Sequence, residues 1–338
     1  MEAAEFFPAN ITLDKDYPVL VTGGAGFIGS SLVECLLGNG FKVRCFDNFS
    51  TGFRSNIEPF LAAPGFELME ADLRDIEACH AAVRDVKYIF HEAALGSVPR
   101  SIADPATSVT VNTAGTVNLL DAARRAEVKR VVYASSSSVY GDDKSPEKVE
   151  ERTGNVLSPY AASKAACELF AANFNAVYGL ECVGLRYFNV FGKRQNPAGA
   201  YAAVIPKFAQ QLLDHQSPTI NGDGTISRDF TFVGNVVYAN ILAMAVPEAA
   251  GKVFNVGCNC SFDLNELFVR LRDALAKFDP EISKIEAIHG SPRQGDILYS
   301  LASIERAGNI LGYQPQYTFE EGISVTAAYY ASQHNSNQ

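Results

Sequence analysis

The sequence predicts an α/β protein: a doubly wound parallel sheet with a smaller α/β domain toward the C-terminus. Three observations carry this. Short apolar runs alternate with segments of helical period, glycines crowd the first strand-to-helix junction, and 338 residues exceed what one hydrophobic core usually serves.

Residues 18–22 are the first apolar run and end at Gly23-Gly24, after which residues 27–37 carry apolar side chains at helical spacing. That is strand, loop, helix. Residues 42–46, 66–69 and 88–91 repeat the strand pattern, residues 107–126 read as a long helix, and residues 131–135 as the next strand. A further helix begins near Pro159, and residues 185–191 supply another strand and loop. Beyond them Pro197, Pro206, Pro218, Gly222 and Gly224 break the period. The chain therefore divides into an N-terminal extension (1–17), a nucleotide-binding domain (18–196, with 218–263 partly returning to it) and a second, substrate-binding domain (197–217 and 264–332). The polar end, residues 333–338, is expected to fray.

Composition narrows the function. Hydrophobic residues at 47% and charged residues at 20% are ordinary globular usage, which excludes disorder. A net charge of −10 argues against nucleic acid or an anionic membrane as partner, since both are gripped by summed Lys and Arg charge. The 7 cysteines are odd in number and mostly apolar in context, and Cys258-Asn259-Cys260 lacks a second ligand pair, so we expect reduced thiols and no metal. No apolar run approaches a membrane span, and residues 1–17 lack a basic start and an apolar core. A cytoplasmic protein is expected.

Gly23-Gly24-Ala25-Gly26-Phe27-Ile28-Gly29 lies between a strand and a helix, the context of a dinucleotide loop. Gly23 permits the tight turn, Gly26 lets the backbone approach a pyrophosphate, and Gly29 lets the helix pack on the strand. The sheet is thus Rossmann-type. Asp47 follows the second strand where an acid receives ribose hydroxyls; its charge repels a 2′-phosphate and favours NAD over NADP, although Arg44 and Arg54 lie nearby. The alternative for Asp47 is a turn cap with Asn48. Asp72 either meets the adenine amine or caps a helix, and Asn112 either holds a helix or the cofactor.

Tyr160 and Lys164 are i and i+4 on one helix face. A phenol is a poor base at neutral pH, but a neighbouring ammonium and the positive ring of oxidised NAD would stabilise the phenolate. Such pairs are common on solvated helices. The small, hydroxyl-rich run Ala134-Ser135-Ser136-Ser137-Ser138-Val139-Tyr140-Gly141 at the end of a strand raises this one, because ligands bind at the strand ends of open parallel sheets.

These motifs, with Asp72-Leu73, His91-Glu92-Ala93-Ala94, Asn112 and Arg186-Tyr187-Phe188-Asn189-Val190-Phe191-Gly192, resemble the extended short-chain dehydrogenase/reductase superfamily and, within it, the UDP-sugar 4-epimerases. The likeness spans nearly all of the chain after residue 17. It implies Ser136 as the catalytic hydroxyl, Tyr160 as the base and Lys164 on the nicotinamide ribose. It implies tightly held NAD against Gly23, Gly26, Phe27, Ile28, Asp47, Asn48, Asp72, Leu73, Ala93, Asn112, Tyr160, Lys164 and Tyr187. It also implies a homodimer through helices that include the one bearing Tyr160.

For the UDP-sugar the resemblance points to Gly96, Ser97, Ser136, Ser137, Ser138, Asn189, Ala203, Val204, Asn221, Arg228, Arg293, Asp296 and Ser300. Arg228 and Arg293 would clamp the diphosphate, a task that suits guanidinium geometry. A small side chain at Ser300, where glucose-restricted epimerases carry a tyrosine, leaves room for a 2-N-acetyl group, with Ala203 and the stretch from Leu95 to Ser101 fitting the same picture. The expected reaction is interconversion of UDP-GlcNAc and UDP-GalNAc through a 4-keto sugar. The alternatives are a UDP-N-acetyl-hexosaminuronic acid, with Arg100 near C6, or UDP-glucose and UDP-galactose. A 4,6-dehydratase would need an acid where Ser137 and Ser138 stand, and a non-catalytic NAD-binding scaffold would have lost Tyr160, Lys164 or the serine.

Overall fold

The structure is a computed structural model and describes residues 3–9, 11–197, 202–291 and 299–336. Seven parallel strands form the main sheet: β1 (Val19–Thr22), β2 (Val43–Asp47), β3 (Phe66–Glu70), β4 (Tyr88–His91), β5 (Arg130–Ser136), β6 (Glu181–Tyr187) and β7 (Val253–Val256). Their order is β7-β6-β5-β4-β1-β2-β3. The chain winds outward from β1 in one direction and resumes at β4 in the other, so the crevice at the strand ends opens between β1 and β4.

Helices cover both faces because the strands are apolar on both. One face packs on Leu32 and Leu36 of helix α1 (Phe27–Gly38) and on Val236 and Ile241 of a later helix, Val233–Ala245. The other packs on Leu119 and Leu120 of α2 (Gly115–Arg125) and on Phe174 of α3 (Pro159–Tyr178). With these in place, Val233–Ala245 becomes α4.

The helix expected over residues 107–126 departs from regularity. It begins as Pro105–Val109, passes through a π turn at Thr110–Ala114 and continues as α2. The wider turn carries the buried Asn112, and such bulges accompany functional sites because they redirect a side chain that a regular helix would leave elsewhere.

A second sheet, ordered Ser261–Asp263, Ser227–Asp229, Tyr299–Ala302, Glu147–Lys148, stands beside the first. Its last strand comes from within residues 18–196, and β7 from within the returning segment, so the two sheets exchange chain in both directions. Asn255 of β7 ties them: it accepts from the Tyr140 hydroxyl at 2.6 Å and donates to the carbonyls of Lys148 and Ser303. The N-terminal extension is docked. Phe6 is buried edge-on against Phe232 and Tyr317, and Phe7 packs on Phe41. Among the described residues no helix is long and apolar enough to cross a membrane.

Candidate active site

At the β1/β4 crevice lies a cavity of about 520 Å³ lined by the glycine loop, the ends of β2 to β6 and the first turns of α3. Gly23 has φ 67°, and a Cβ there would meet backbone atoms of Ala93 and Glu92 at 2.7–2.9 Å. A Cβ on Gly29 would stand 2.1 Å from the Gly23 carbonyl oxygen. Neither position tolerates a side chain without moving backbone. Gly26 opens α1 with no side-chain cap, so the first N–H groups of this 12-residue helix face the cavity with their partial positive charge. A pyrophosphate is the group such an end accepts.

Asp47 supports the loop from below. Its Oδ2 accepts from the Ala25 N–H at 2.9 Å and its Oδ1 from the Phe49 N–H at 2.8 Å. It therefore ties the turn, and because a carboxylate offers about four lone-pair directions, acceptor capacity remains for a ribose hydroxyl. Burial pushes its carboxyl up, against the backbone donors that pull it down. The two nearby arginines are engaged elsewhere. Arg44 pairs with Glu67 and donates to the Ala82 and Arg84 carbonyls, while Arg54 pairs with Glu70 and stacks on Phe49 at 4.2 Å. Neither of these two arginines is left poised for a 2′-phosphate, so the donor set fits NAD. Asn48 donates to Asp72 at 2.7 Å, and Arg74 forks onto the same carboxylate, holding it well below the usual carboxylate range.

Opposite the loop stand Ser136, Tyr160 and Lys164, all lining the cavity. Ser158 caps α3 by accepting from the Ala161 N–H, and Pro159 takes the first helical position, where it has no N–H to leave unpaired. The remaining orphan donor, the Tyr160 N–H, is received by the Ser101 hydroxyl at 3.0 Å. Lys164 is buried and donates to the Ala134 carbonyl at 2.7 Å, which fixes its charge one turn from the phenol. Ser136 ends β5, and its hydroxyl accepts from the Ser138 N–H at 3.1 Å. Beneath them His91 lies between the hydroxyls of Thr22 and Thr116, at 2.7 and 2.8 Å. Burial, aided by Lys164, pushes its imidazole down to about 3, so it is neutral and structural.

Of the residues singled out from sequence, Gly23, Gly26, Phe27, Ile28, Asp47, Asn48, Asp72, Leu73, Ala93, Gly96, Ser136, Ser137, Tyr160, Lys164, Tyr187 and Asn189 line this one cavity. Asn112 does not. Its amide is spent on Leu95, accepting from the N–H at 2.7 Å, and on the Ser163 hydroxyl at 3.0 Å, so it positions the loop before Gly96. Ser97 and Ser138 also stand outside: Ser97 caps the helix Val98–Ala103, and the Ser138 hydroxyl is buried with no hydrogen-bond partner. Ala203, Val204, Asn221, Arg228 and Ser300 do not line the cavity, and Arg228 and Ser300 sit on the second sheet. There Arg228 and Ser300 are register partners on adjacent strands and so share a sheet face. Asn189, on the cavity wall, reaches the second sheet by donating to the Asp229 carbonyl at 3.0 Å. Arg293 and Asp296 lie outside the described residues.

Sequence reasoning gave no role to Glu92 and missed the Ser101 contact. Glu92 accepts from the Tyr187 hydroxyl at 2.7 Å on the cavity wall. Its signals in sequence are a charge directly after the strand Tyr88–His91 and its place in the His91-Glu92-Ala93-Ala94 motif, neither of which names a partner. Ser101 gives none, because its partner is 59 residues away.

Residues 19–257 match the model of the NAD dependent epimerase/dehydratase family. A UDP-glucose 4-epimerase of Mycolicibacterium smegmatis is 38% identical over 314 residues, 92% of this chain and 97% of that protein. Among solved structures, a UDP-N-acetylglucosamine 4-epimerase from Methanobrevibacter ruminantium in complex with UDP-N-acetylmuramic acid superposes with a TM-score of 0.88 at 39% identity, covering 95% of this chain and 100% of that one. A Thermus thermophilus UDP-glucose 4-epimerase in complex with NAD gives a TM-score of 0.80 at 35% identity, covering 93% and 98%.

Proposed function

This chain belongs to the NAD dependent epimerase/dehydratase family, and from that premise we propose that it is a UDP-sugar 4-epimerase acting on UDP-GlcNAc and UDP-GalNAc. One observation carries the reading: Ser136, Tyr160 and Lys164 share a single cavity with an uncapped helix end that suits a dinucleotide pyrophosphate. NAD would be held by the glycine loop, Asp47 and Lys164, and when bound would supply a reversible hydride acceptor. Tyr160 accepts the proton of the sugar 4-hydroxyl and later returns it, with Ser136 bridging the two oxygens. Lys164, fixed on the Ala134 carbonyl, supplies the positive charge that makes a phenolate tolerable there. The 4-keto sugar turns over, return of the hydride to its other face inverts C4, and Tyr160 gives the proton back to the C4 oxygen, with no net redox change.

The acetylated substrate rests on Ser300. Placed beside Arg228 on one face of the second sheet, a short side chain leaves volume next to a cation suited to the diphosphate, and Asn189, Ala203, Val204, Asn221, Arg293 and Asp296 are assigned to the same substrate from the sequence resemblance. A second reading, a sugar bearing a carboxylate, is favoured by Arg100. Its guanidinium has no hydrogen-bond or ion-pair partner among the described residues, and its neighbour Ser101 holds the Tyr160 backbone.

Initial rates with UDP-GlcNAc, UDP-glucose and the UDP-N-acetyl-hexosaminuronic acid, measured side by side, decide among these. The acetylated neutral sugar should turn over fastest; a clear lead for glucose removes the role of Ser300. Tyr160→Phe should lower turnover by roughly 100-fold or more while NAD stays bound.

We also place a homodimer contact on α3. Leu169, Phe170 and Val177 are exposed there, and Ile102 and Val109 are exposed on the two short helices that pack against it. Apolar residues gathered on packed neighbours mark an interface.

A further inference from the structure

Glu92 is a titratable group on the cavity wall that the proposed mechanism does not use. It follows His91 on β4, so the two side chains leave opposite faces of the sheet. Continuing the register of β4 with β5 sets Glu92 beside Ala134, whose methyl leaves space to reach across to Tyr187 at the end of β6. Asn240 of α4 donates its amide N–H to the Tyr187 oxygen at 2.9 Å, so the phenol turns its own proton onto Glu92 Oε1 at 2.7 Å. One oxygen is thereby fixed as an acceptor. The other has no hydrogen-bond partner among the described residues and is not a buried atom.

We propose that Glu92 sets the redox bias of the bound nicotinamide, its carboxylate favouring the oxidised, positively charged ring over the reduced, neutral one. The inference rests on the epimerase reading above. Glu92 and Tyr187 line the same cavity as Tyr160 and Lys164, in the sector between the glycine loop and the end of β5. The redox ring must meet the sugar carbon held at Tyr160, so it occupies that sector. The charged or titratable groups acting on Glu92 are Tyr187 from β6 and Lys164 from α3; α4 presents the neutral Asn240 to Tyr187, and His91 is neutral. Burial pushes Glu92 up to about 7, against the Tyr187 hydrogen bond and the Lys164 charge. Near neutral pH its ionisation therefore responds to charge arriving in the cavity, and by linkage the ionised form favours the cationic ring. The ring's hydride then tends to return to the sugar. An enzyme that must regain NAD in every cycle is served by this bias, since a trapped reduced cofactor ends turnover.

The test compares wild type with Glu92→Gln as NAD-loaded enzymes, reading bound NADH by its absorbance and fluorescence after equilibration with UDP-GlcNAc or UDP-glucose. A parallel arm follows reduction of the bound NAD by cyanoborohydride. At pH 8 the variant should hold about tenfold more reduced cofactor, the scale of one unit charge in a partly buried site. It should also be reduced faster by the chemical donor. Both differences should shrink steadily as pH falls below about 7 and Glu92 takes up its proton, and Glu92→Asp should behave as wild type at pH 8. Equal reduced fractions and equal reduction rates at every pH overturn the proposal. If Glu92→Gln does not fold, Tyr160→Phe with Glu92 intact decides, because the phenol's own charge is then absent: its cyanoborohydride rate must fall as pH rises through about 7, and a flat profile overturns the inference. Failure of the wild type to interconvert any UDP-sugar with its 4-epimer, with the chemical arm behaving as expected, would instead count against the epimerase reading alone.

Discussion

Replacing Asp47 by alanine separates two roles that one carboxylate can play. In the structure Asp47 accepts from two backbone N–H groups, Ala25 at 2.9 Å and Phe49 at 2.8 Å. Ala25 is fully buried inside the glycine loop, so its N–H has no route to water, whereas Phe49 is only partly buried. Hydrogen bonds to a charged group contribute about 1.5–3 kcal/mol each, and a buried donor left unpaired costs about 1–3 kcal/mol. Water recovers part of the loss at Phe49, and releasing a buried carboxylate returns some desolvation energy. The net expectation is about 2–4 kcal/mol of lost stability in the cofactor-free protein. The same tie holds the loop in the shape a pyrophosphate needs, so NAD affinity should fall by roughly 10- to 100-fold. Asp47→Asn should land between, because an amide keeps one acceptor and presents a donor to the other N–H. Urea unfolding with and without NAD, beside calorimetric NAD titration, reads both quantities. If the cofactor-free stability of Asp47→Ala equals that of wild type while affinity collapses, the carboxylate acts on the ribose alone and the tie reasoned here is wrong.

Ser101→Ala removes the acceptor of the Tyr160 N–H and should lower kcat several-fold with little change in KM, while Ser101→Thr restores it; an unchanged kcat means α3 holds its first turn unaided. Asp229, fully buried, is pushed up to about 6 by desolvation despite accepting from the Cys258 and Ala302 N–H groups. A raised carboxyl contributes stability that is complete below its unfolded value of about 4 and lost as pH climbs through 6. Wild type should therefore lose about 2–3 kcal/mol between pH 4 and 6.5 that Asp229→Asn does not lose; parallel pH–stability curves in urea would refute this. Leu169→Glu with Val177→Glu should give a monomer by light scattering, since each places a charge on the exposed apolar face of α3; a persistent dimer would move the interface elsewhere.

Some of this protein was written in the order of its residues. The parallel strands, the glycine loop and the Tyr160–Lys164 pair were legible because each depends on contacts within a few residues: a period of two or 3.6, a φ only glycine takes readily, an i, i+4 neighbour. The site's main axis followed from these, since strand ends in a doubly wound sheet converge. What the sequence could not decide is where distant polar groups spend their hydrogen bonds. Asn112 read equally as cofactor ligand or helix anchor until the π turn showed its amide on Leu95 and Ser163. Asp47 read as ribose acceptor or turn cap, and folding gave it two backbone donors. Glu92 was one acid beside a histidine until the Tyr187 hydroxyl, 95 residues away, donated a hydrogen bond to it. A buried polar atom must be paired, and only the fold brings its partner within reach. Periodicity is local and leaves a trace in sequence; pairing across the core does not.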